Sequence, residues 1–310
     1  MSKVLVTGGA GYIGSILVQD LLDGGHSVTV VDNFMYRQNS LGHLMSNENL
    51  EVVLGDIRDL DLMRLQLEDK EVVIPLAAIV GAPACNRDPF AADSINLRAA
   101  VDLIQACDPS QTILTPTTNS AYGTTKPGTI TTEESQLNPI SSYARHKVEV
   151  EACLLNHPKA ISFRLATVFG MSPRMRLDLL VNDLVNRAIN DRSVILFEPN
   201  FVRNYVHVRD VSNAIRWAMS LKISSPEIYN VGLTEANLTK LELCSLIAQY
   251  LPGFNYMVSD IGKDPDQRNY FVSNEKIEKA GFKFEYTLDS GILELIRGLR
   301  PLRNQVYGNV

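Results

Sequence analysis

The chain has 310 residues, 45% of them apolar and 21% charged, and its 29 basic against 35 acidic side chains give a net charge of −6. Such a chain predicts one large domain or two small ones, around a core that needs no disulfide or metal. The composition excludes disorder, collagen and coiled coil, and the acidic balance argues against nucleic-acid backbone binding as the main activity.

Residues 4–6 form a short apolar run ended by Thr7-Gly8-Gly9, which predicts a first buried strand. Helical spacing over 13–22 closes at Gly24-Gly25, and residues 27–31 read as a second strand. Residues 50–54 and 71–76 read as the third and fourth. A helix over 91–106, a strand over 111–116, a helix over 141–156 and a strand over 160–165 follow. Strands alternating with helices predict α/β architecture: a Rossmann-type doubly wound parallel sheet covered on both faces. After Gly170 the rhythm breaks. Residues 171–176 read as loop, 177–190 as helix, 194–197 and 203–208 as strands, and 210–219 as a helix capped by Asp210. Residues 227–231 could rejoin the sheet, and 238–251 and 288–299 read as helices. The expected organisation is a dinucleotide-binding domain over 1–170, with 203–232 rejoining it. A smaller mixed α/β lobe for the substrate would take 171–202 and 233–310.

The cysteines (Cys85, Cys107, Cys153 and Cys244) form no CxxC pair, and the five histidines form no HxxxH or HExxH motif. No metal site is expected, and the thiols read as reduced, in a cytoplasmic protein. No apolar run reaches 18 residues, so no membrane span is expected. The first strand begins at Lys3-Val4, which leaves no room for a signal peptide.

Three signals carry chemistry. The first is Gly8-Gly9-Ala10-Gly11-Tyr12-Ile13-Gly14, directly between the first strand and the first helix. Glycines let a pyrophosphate approach the backbone, and the helix N-terminus supplies amide donors. The second is Asp32, after the second strand and 18 residues past Gly14. A carboxylate there can accept both adenosine ribose hydroxyls and repels a 2′-phosphate, which favours NAD over NADP. Arg37 is the feature that could point the other way. The third is Tyr143 with Lys147, one helical turn apart on one face. A free phenol titrates near 10, so a base working at neutral pH needs a shift of about three units, about 4 kcal/mol. Lys147 and a positive nicotinamide ring could together supply it.

With these residues in place, the chain resembles the extended short-chain dehydrogenase/reductases, in the NAD-dependent nucleotide-sugar epimerase/dehydratase group. Besides the glycine-rich turn, Asp32-Asn33, Gly55-Asp56-Ile57, Leu76-Ala77-Ala78, Tyr122-Gly123, Tyr143 with Lys147, and residues 203–208 occur in that family's order. The resemblance implies that Asp56 and Ile57 hold the adenine and that Ala77 and Ala78 line the cofactor groove. It implies that Asn96 sits in a supporting helix, and that Thr118 orients a sugar hydroxyl beside Tyr143. It further implies that Arg203 and Arg268 bind the substrate diphosphate, for which the guanidinium fork is suited. The 4,6-dehydratases of this group carry Asp-Glu after the catalytic Thr. Here Asn119 and Ser120 stand there, which argues against dehydration. Pro75 replaces the usual His, and Thr167 stands where many epimerases carry Asn. Residues 75–83, 117–120 and 164–183 resemble a narrower branch, the bacterial GDP-D-glycero-α-D-manno-heptose 4-dehydrogenases of capsular polysaccharide pathways.

The expected reaction is therefore NAD-dependent oxidation at C4 of a nucleoside-diphosphate sugar, GDP-D-glycero-α-D-manno-heptose first. Tyr143 acts as base, Lys147 lowers its pKa and holds the nicotinamide ribose, and Thr118 orients the hydroxyl. Asn119, Ser120, Arg174, Arg176, Arg203 and Arg268 are expected on the substrate side, with Arg174 and Arg176 facing the sugar or diphosphate. A 4-epimerase of the UDP-glucose or UDP-GlcNAc type shares the same first step. A non-catalytic NAD-binding regulator would show a broken catalytic set, and here the set is complete. The resemblance also implies a homodimer through the helices at 91–106 and 141–156. Leu97, Val101, Ile104, Val148, Cys153 and Leu154 could serve either that interface or the core.

Overall fold

The computed structural model describes residues 1–126, 128–259 and 268–301. The N-terminal part runs β1 (Lys3–Thr7), α1 (Gly14–Asp23), β2 (Ser27–Asp32), β3 (Leu50–Leu54), α2 (Leu60–Leu67) and β4 (Val72–Pro75). Then come α3 (Ala82–Arg87), α4 (Pro89–Asp93), a π-turn (Ser94–Ala99), α5 (Ala100–Ala106) and β5 (Thr112–Thr118). After a 3-10 turn (Asn119–Tyr122), the chain forms β6 (Ile130–Thr131), α6 (Ser142–Leu154), β7 (Ala160–Leu165) and β8 (Thr167–Phe169). The C-terminal part holds α7 (Leu180–Asn190), β9 (Ser193–Leu196), β10 (Val202–His207), α8 (Val208–Met219), β11 (Glu227–Val231) and β12 (Asn237–Thr239). It ends with α9 (Lys240–Tyr250), β13 (Asn255–Val258), β14 (Phe271–Val272), α10 (Glu275–Lys279) and α11 (Leu288–Leu299).

Seven parallel strands form one sheet in the order β11-β7-β5-β4-β1-β2-β3. The reversal of strand order falls between β1 and β4, where α/β sheets open a crevice for a ligand. Val4, Leu5 and Val6 are fully buried because helices cover both faces. One face packs on α1 and α8 through Leu17, Leu21, Val211 and Ile215, and the other on α2, α5 and α6 through Met63, Leu103 and Val150. A third apolar cluster lies in the C-terminal part, around Val181, Leu243, Ile247 and Ile292, and Tyr12 and Ile16 reach into it. No helix among the described residues is long and apolar enough to cross a membrane.

Pro75 has a structural account. Leu76 N–H bonds Thr7 on β1, so the alternation of the strand would aim a donor at position 75 toward β5. Pairing between β4 and β5 ends at Val73 and Ile113. The same alternation aims position 116 of β5 back at β4, and it too is a proline. The two prolines withhold the next two ladder bonds, and both line the cleft that opens there.

Three sequence expectations change. Strand 227–231 rejoins the main sheet beside β7, but 202–207 pairs instead with β8 and β12. Asp210 does not cap α8. His207 does, accepting from Arg209 N–H, and the buried Asp210 carboxylate binds the N–H groups of Glu285 and Tyr286. Ile104 and Leu154 lie in the core, which removes them from any dimer face, whereas Leu97, Val101, Val148 and Cys153 are half-buried.

Candidate active site

A cleft of about 770 Å³ runs across the C-terminal ends of the central strands. At one end the glycine-rich turn forms its floor. Gly8 has φ +71°, and a Cβ there would lie 2.6 Å from Ala77 N. A Cβ on Gly14 would lie 2.6 Å from Gly8 O, so helix and turn can close together only without side chains. The Asp32 carboxylate accepts N–H bonds from Phe34 (2.8 Å) and Ala10 (3.0 Å), tying the end of β2 to the turn. Burial raises its pKa; these two donors and the charge of Arg174 oppose that rise. Asp56 faces the same end. Arg58 grips it with two bonds of 2.9 and 2.7 Å and holds its carboxyl down at about 2. Asn33 and Ile57 complete the wall, with Ile57 buried among apolar neighbours. A side-chain-free turn closed on a helix start, with a carboxylate 18 positions on, fits the pyrophosphate and ribose of a dinucleotide.

The middle of the cleft is the extended segment Leu76-Ala77-Ala78. Asn96, fully buried in the π-turn, holds it from behind. Its amide accepts from Ile79 N–H (2.7 Å) and donates to Ile79 C=O (2.8 Å).

The other end brings Thr118, Tyr143 and Lys147 onto one wall. Thr118 is the last residue of β5. It donates to Ser120 Oγ at 2.9 Å and accepts from Ser120 N–H at 3.1 Å. Arg268 also donates to Ser120 Oγ. Ser141 caps α6 by accepting from Ala144 N–H, so Tyr143 falls in the first turn and Lys147 in the second. Burial pushes the Tyr143 phenol up to about 12 and the Lys147 ammonium down to about 8. The cations acting on Tyr143 are Arg176 and Arg268, with Cys85 opposing them. Lys147 stands one helical turn further along the same face of α6.

The roof is the loop over 170–178. Tyr12 donates its hydroxyl to Gly170 C=O at 2.7 Å, and Asn182 ties Gly170 N–H and Arg176 C=O to the same point. Arg174 is 2% exposed, with its guanidinium 4.1 Å from the centre of the Tyr36 ring. Asp32 and Asp178 are among the charges acting on it. This arginine was expected at the sugar or diphosphate; it sits at the Asp32 end of the groove, where an aromatic face and a carboxylate attract it. Arg176 does line the cleft, held by Asp178 at 2.6 and 3.2 Å. Arg203, Arg268 and Tyr270 also line the cleft, with Arg203 5.9 Å from the Tyr270 ring centre. Asn119 is another correction. It is fully buried, it does not line the cleft, and among the described residues neither of its amide atoms has a partner. The 3-10 turn after Thr118 aims position 119 inward and position 120 at the cleft.

Two features escaped the sequence reading. Lys240, at the start of α9, is a buried lysine on the cleft wall that donates to Phe197 C=O at 2.6 Å. Nothing local marks it. Tyr36 follows β2 in a stretch where Phe34 and Arg37 both have positive φ, a conformation that the sequence does not signal.

Residues 4–232 match the model of the NAD dependent epimerase/dehydratase family. An uncharacterized UDP-glucose epimerase of Bacillus subtilis, YtcB, is 30% identical over 79% of this chain and 81% of its own length. The Thermus thermophilus UDP-glucose 4-epimerase in complex with NAD superposes with a TM-score of 0.83 at 25% identity, covering 97% of this chain and 99% of the other. The Thermotoga maritima UDP-glucose 4-epimerase with UDP-glucose gives 0.84 at 25% identity, covering 96% and 99%. This protein is an NAD-dependent nucleotide-sugar enzyme and belongs to the NAD dependent epimerase/dehydratase family.

Proposed function

We propose that the protein is a nucleotide-sugar 4-epimerase acting on a UDP-sugar by transient oxidation at C4. The observation that carries this is one cleft lined by Thr118, Tyr143, Lys147, Arg203 and Arg268 and continuous with the dinucleotide groove, with Arg268 bonded to Ser120 beside Thr118. Bound NAD supplies the hydride acceptor. Gly8, Gly11, Gly14, Asp32, Asn33 and Asp56 hold its adenosine and pyrophosphate portion, and Ala77, Ala78 and Lys147 its nicotinamide end. Thr118 orients the C4 hydroxyl, and Tyr143, as phenolate, accepts its proton and returns it at the end of the cycle. Arg203 and Arg268 bind the diphosphate, and Ser120 faces the sugar.

A second reading is net C4 oxidation of GDP-D-glycero-α-D-manno-heptose. It is supported by the resemblance of residues 75–83, 117–120 and 164–183 to that branch, since all three segments reach the cleft wall. One experiment separates the two. Near-stoichiometric enzyme with NAD is followed at 340 nm against UDP-glucose, UDP-GlcNAc and the GDP-heptose, and the sugars are then examined by NMR. Epimerase action gives a flat trace and a C4-inverted UDP-sugar. A lasting rise with a 4-keto GDP-sugar establishes the second reading instead.

We also propose a homodimer through the outer face of residues 89–106 and α6. Phe90 is 89% exposed there, beside the half-buried Leu97, Val101 and Val148. Mass photometry at one chain mass would overturn it.

A further inference from the structure

We propose that Glu151 is a positioning residue of the active site, fixing from inside the protein the helix that carries Tyr143 and Lys147 to the strand that carries Thr118. The inference rests on the roles proposed above for those three residues. Tyr143, Lys147 and Glu151 follow one another along α6 at four-residue steps, so they form one stripe facing the sheet. The first two end in the cleft. Glu151 is 4% exposed and does not reach it.

Every bond its carboxylate makes goes to the two strands beneath. Ser162 of β7 donates at 2.6 Å and Thr117 of β5 at 3.1 Å. Arg164 of β7 adds a two-pronged contact, Nη2 at 2.6 Å and Nε at 3.1 Å. Thr117 is the residue before Thr118, and it pairs directly with Arg164 in the sheet. One carboxylate thus joins the catalytic helix to both strands under it, within one residue of Thr118.

The network continues behind it. Arg164 also donates to the Tyr122 hydroxyl (2.9 Å) and to Glu133 C=O (3.0 Å), and Tyr122 donates to Asn230 (2.7 Å). Tyr122 ends the turn that carries Ser120. A buried ion pair gains little stability over a well-packed apolar replacement, because both charges give up hydration. What a fully bonded one does well is fix a single geometry. Here that geometry is the separation between β5 and α6, on which the approach of Thr118 and Tyr143 to one hydroxyl depends.

The test removes the strand contacts without burying a new charge. Thr117→Val with Ser162→Ala deletes both hydroxyl donors. Glu151→Gln is the harsher companion, because it leaves Arg164 buried beside a neutral amide. The full chain is titrated with NAD by calorimetry from pH 6 to 9.5. In the parent, affinity is expected to fall as the pH passes about 8, to which burial lowers the Lys147 ammonium. The double variant is expected to bind NAD about tenfold more weakly, the scale of one hydrogen bond from the Lys147 ammonium lost, and to lose most of that pH dependence. Ile247→Ala, a truncation in the C-terminal cluster that also lowers Tm, should leave both unchanged. Parental affinity and pH dependence in the double variant overturn the proposal. If instead Lys147→Met binds NAD as tightly as the parent, the assignment of Lys147 itself has failed.

Discussion

On the glycine-rich wall of the cleft each residue's place follows from its own backbone, whereas on the loop over 170–178 places are set by side chains arriving from four other elements. Gly8 and Gly14 sit where any Cβ would strike main-chain atoms, and Asp32 bonds the amides next to it. The loop hangs instead from Tyr12 and Ser15 at the start of α1, Asn182 of α7, His207 of β10 and Glu294 of α11. Tyr12 and Asn182 bind Gly170, Ser15 meets Ser172, Glu294 accepts from Met171 N–H, and His207 sits against Gly170. The first wall is local. The second is assembled from distant parts, and it carries Arg174 and Arg176.

The largest expected effect lies where the two walls meet. Tyr143→Phe should lower turnover about a thousandfold, the scale of a lost general base, while NAD affinity measured by calorimetry stays near parental. Turnover within a factor of ten of the parent would sink the assignment of Tyr143. Next is Lys147→Met. Burial lowers the lysine from its ordinary 10.5 to about 8, so the unfolded chain binds the extra proton between those values and the charged form destabilises the fold below them. Replacing it should stabilise the protein at pH 7 by roughly 3 kcal/mol, and the gain should shrink as pH rises from 8 to 10.5. Urea melts at pH 7 and pH 10 measure this directly, and an unchanged midpoint at both would contradict it. Gly8→Ala tests the local wall. The φ of +71° and the approach to Ala77 N should cost about 1–3 kcal/mol, with weaker NAD binding. A thermal melt and an NAD titration check both parts.

This contrast also explains what was legible in the sequence. The six strands at the centre, the helix at 288–299 and the glycine-rich turn were readable because each is a local pattern that the fold does not override. Thr118, Tyr143 and Lys147 all line the cleft, at a strand end and in the first two turns of α6. Arg174 was readable as a residue but not as a position. Its partner Tyr36 lies 138 positions earlier, and only the folded loop brings the ring beneath it. Asn119 and Ser120 are neighbours whose fates divide because a 3-10 turn sends one inward. The charge acting on Tyr143 is the plainest case. The helix spacing named Lys147, and the fold adds Arg176 and Arg268, which no local pattern marks.

Arg176→Gln and Arg174→Gln sharpen that point together. Arg176 is the leading charge that lowers the Tyr143 phenol, so its loss raises that pKa and moves the rising limb of the pH–rate profile to higher pH. Turnover should fall several-fold at pH 7 and recover toward pH 9. Arg174 packs on Tyr36 at the Asp32 end, so Arg174→Gln should leave the limb in place and weaken NAD binding there. Identical pH profiles for the two variants would break the distinction.

The smallest effect expected is the most direct measure of how the two walls are joined. Tyr12 belongs to the glycine-rich turn, yet its hydroxyl is the bond between that turn and the roof: it donates to Gly170 C=O and accepts from Asn182. Tyr12→Phe keeps the ring in its apolar site and removes only the oxygen. Asn182 retains its bond to Arg176 C=O, so the lasting loss is one buried carbonyl left without its donor, worth about 1–3 kcal/mol. The turn does not need that hydroxyl to hold its shape, so NAD affinity should change little. The loop over 170–178 does need it, and amide hydrogen exchange there should rise while the exchange of α1 stays constant. Equal loosening of both would show that the turn and the roof form one cooperative unit rather than a rigid wall with a separate lid of side-chain contacts.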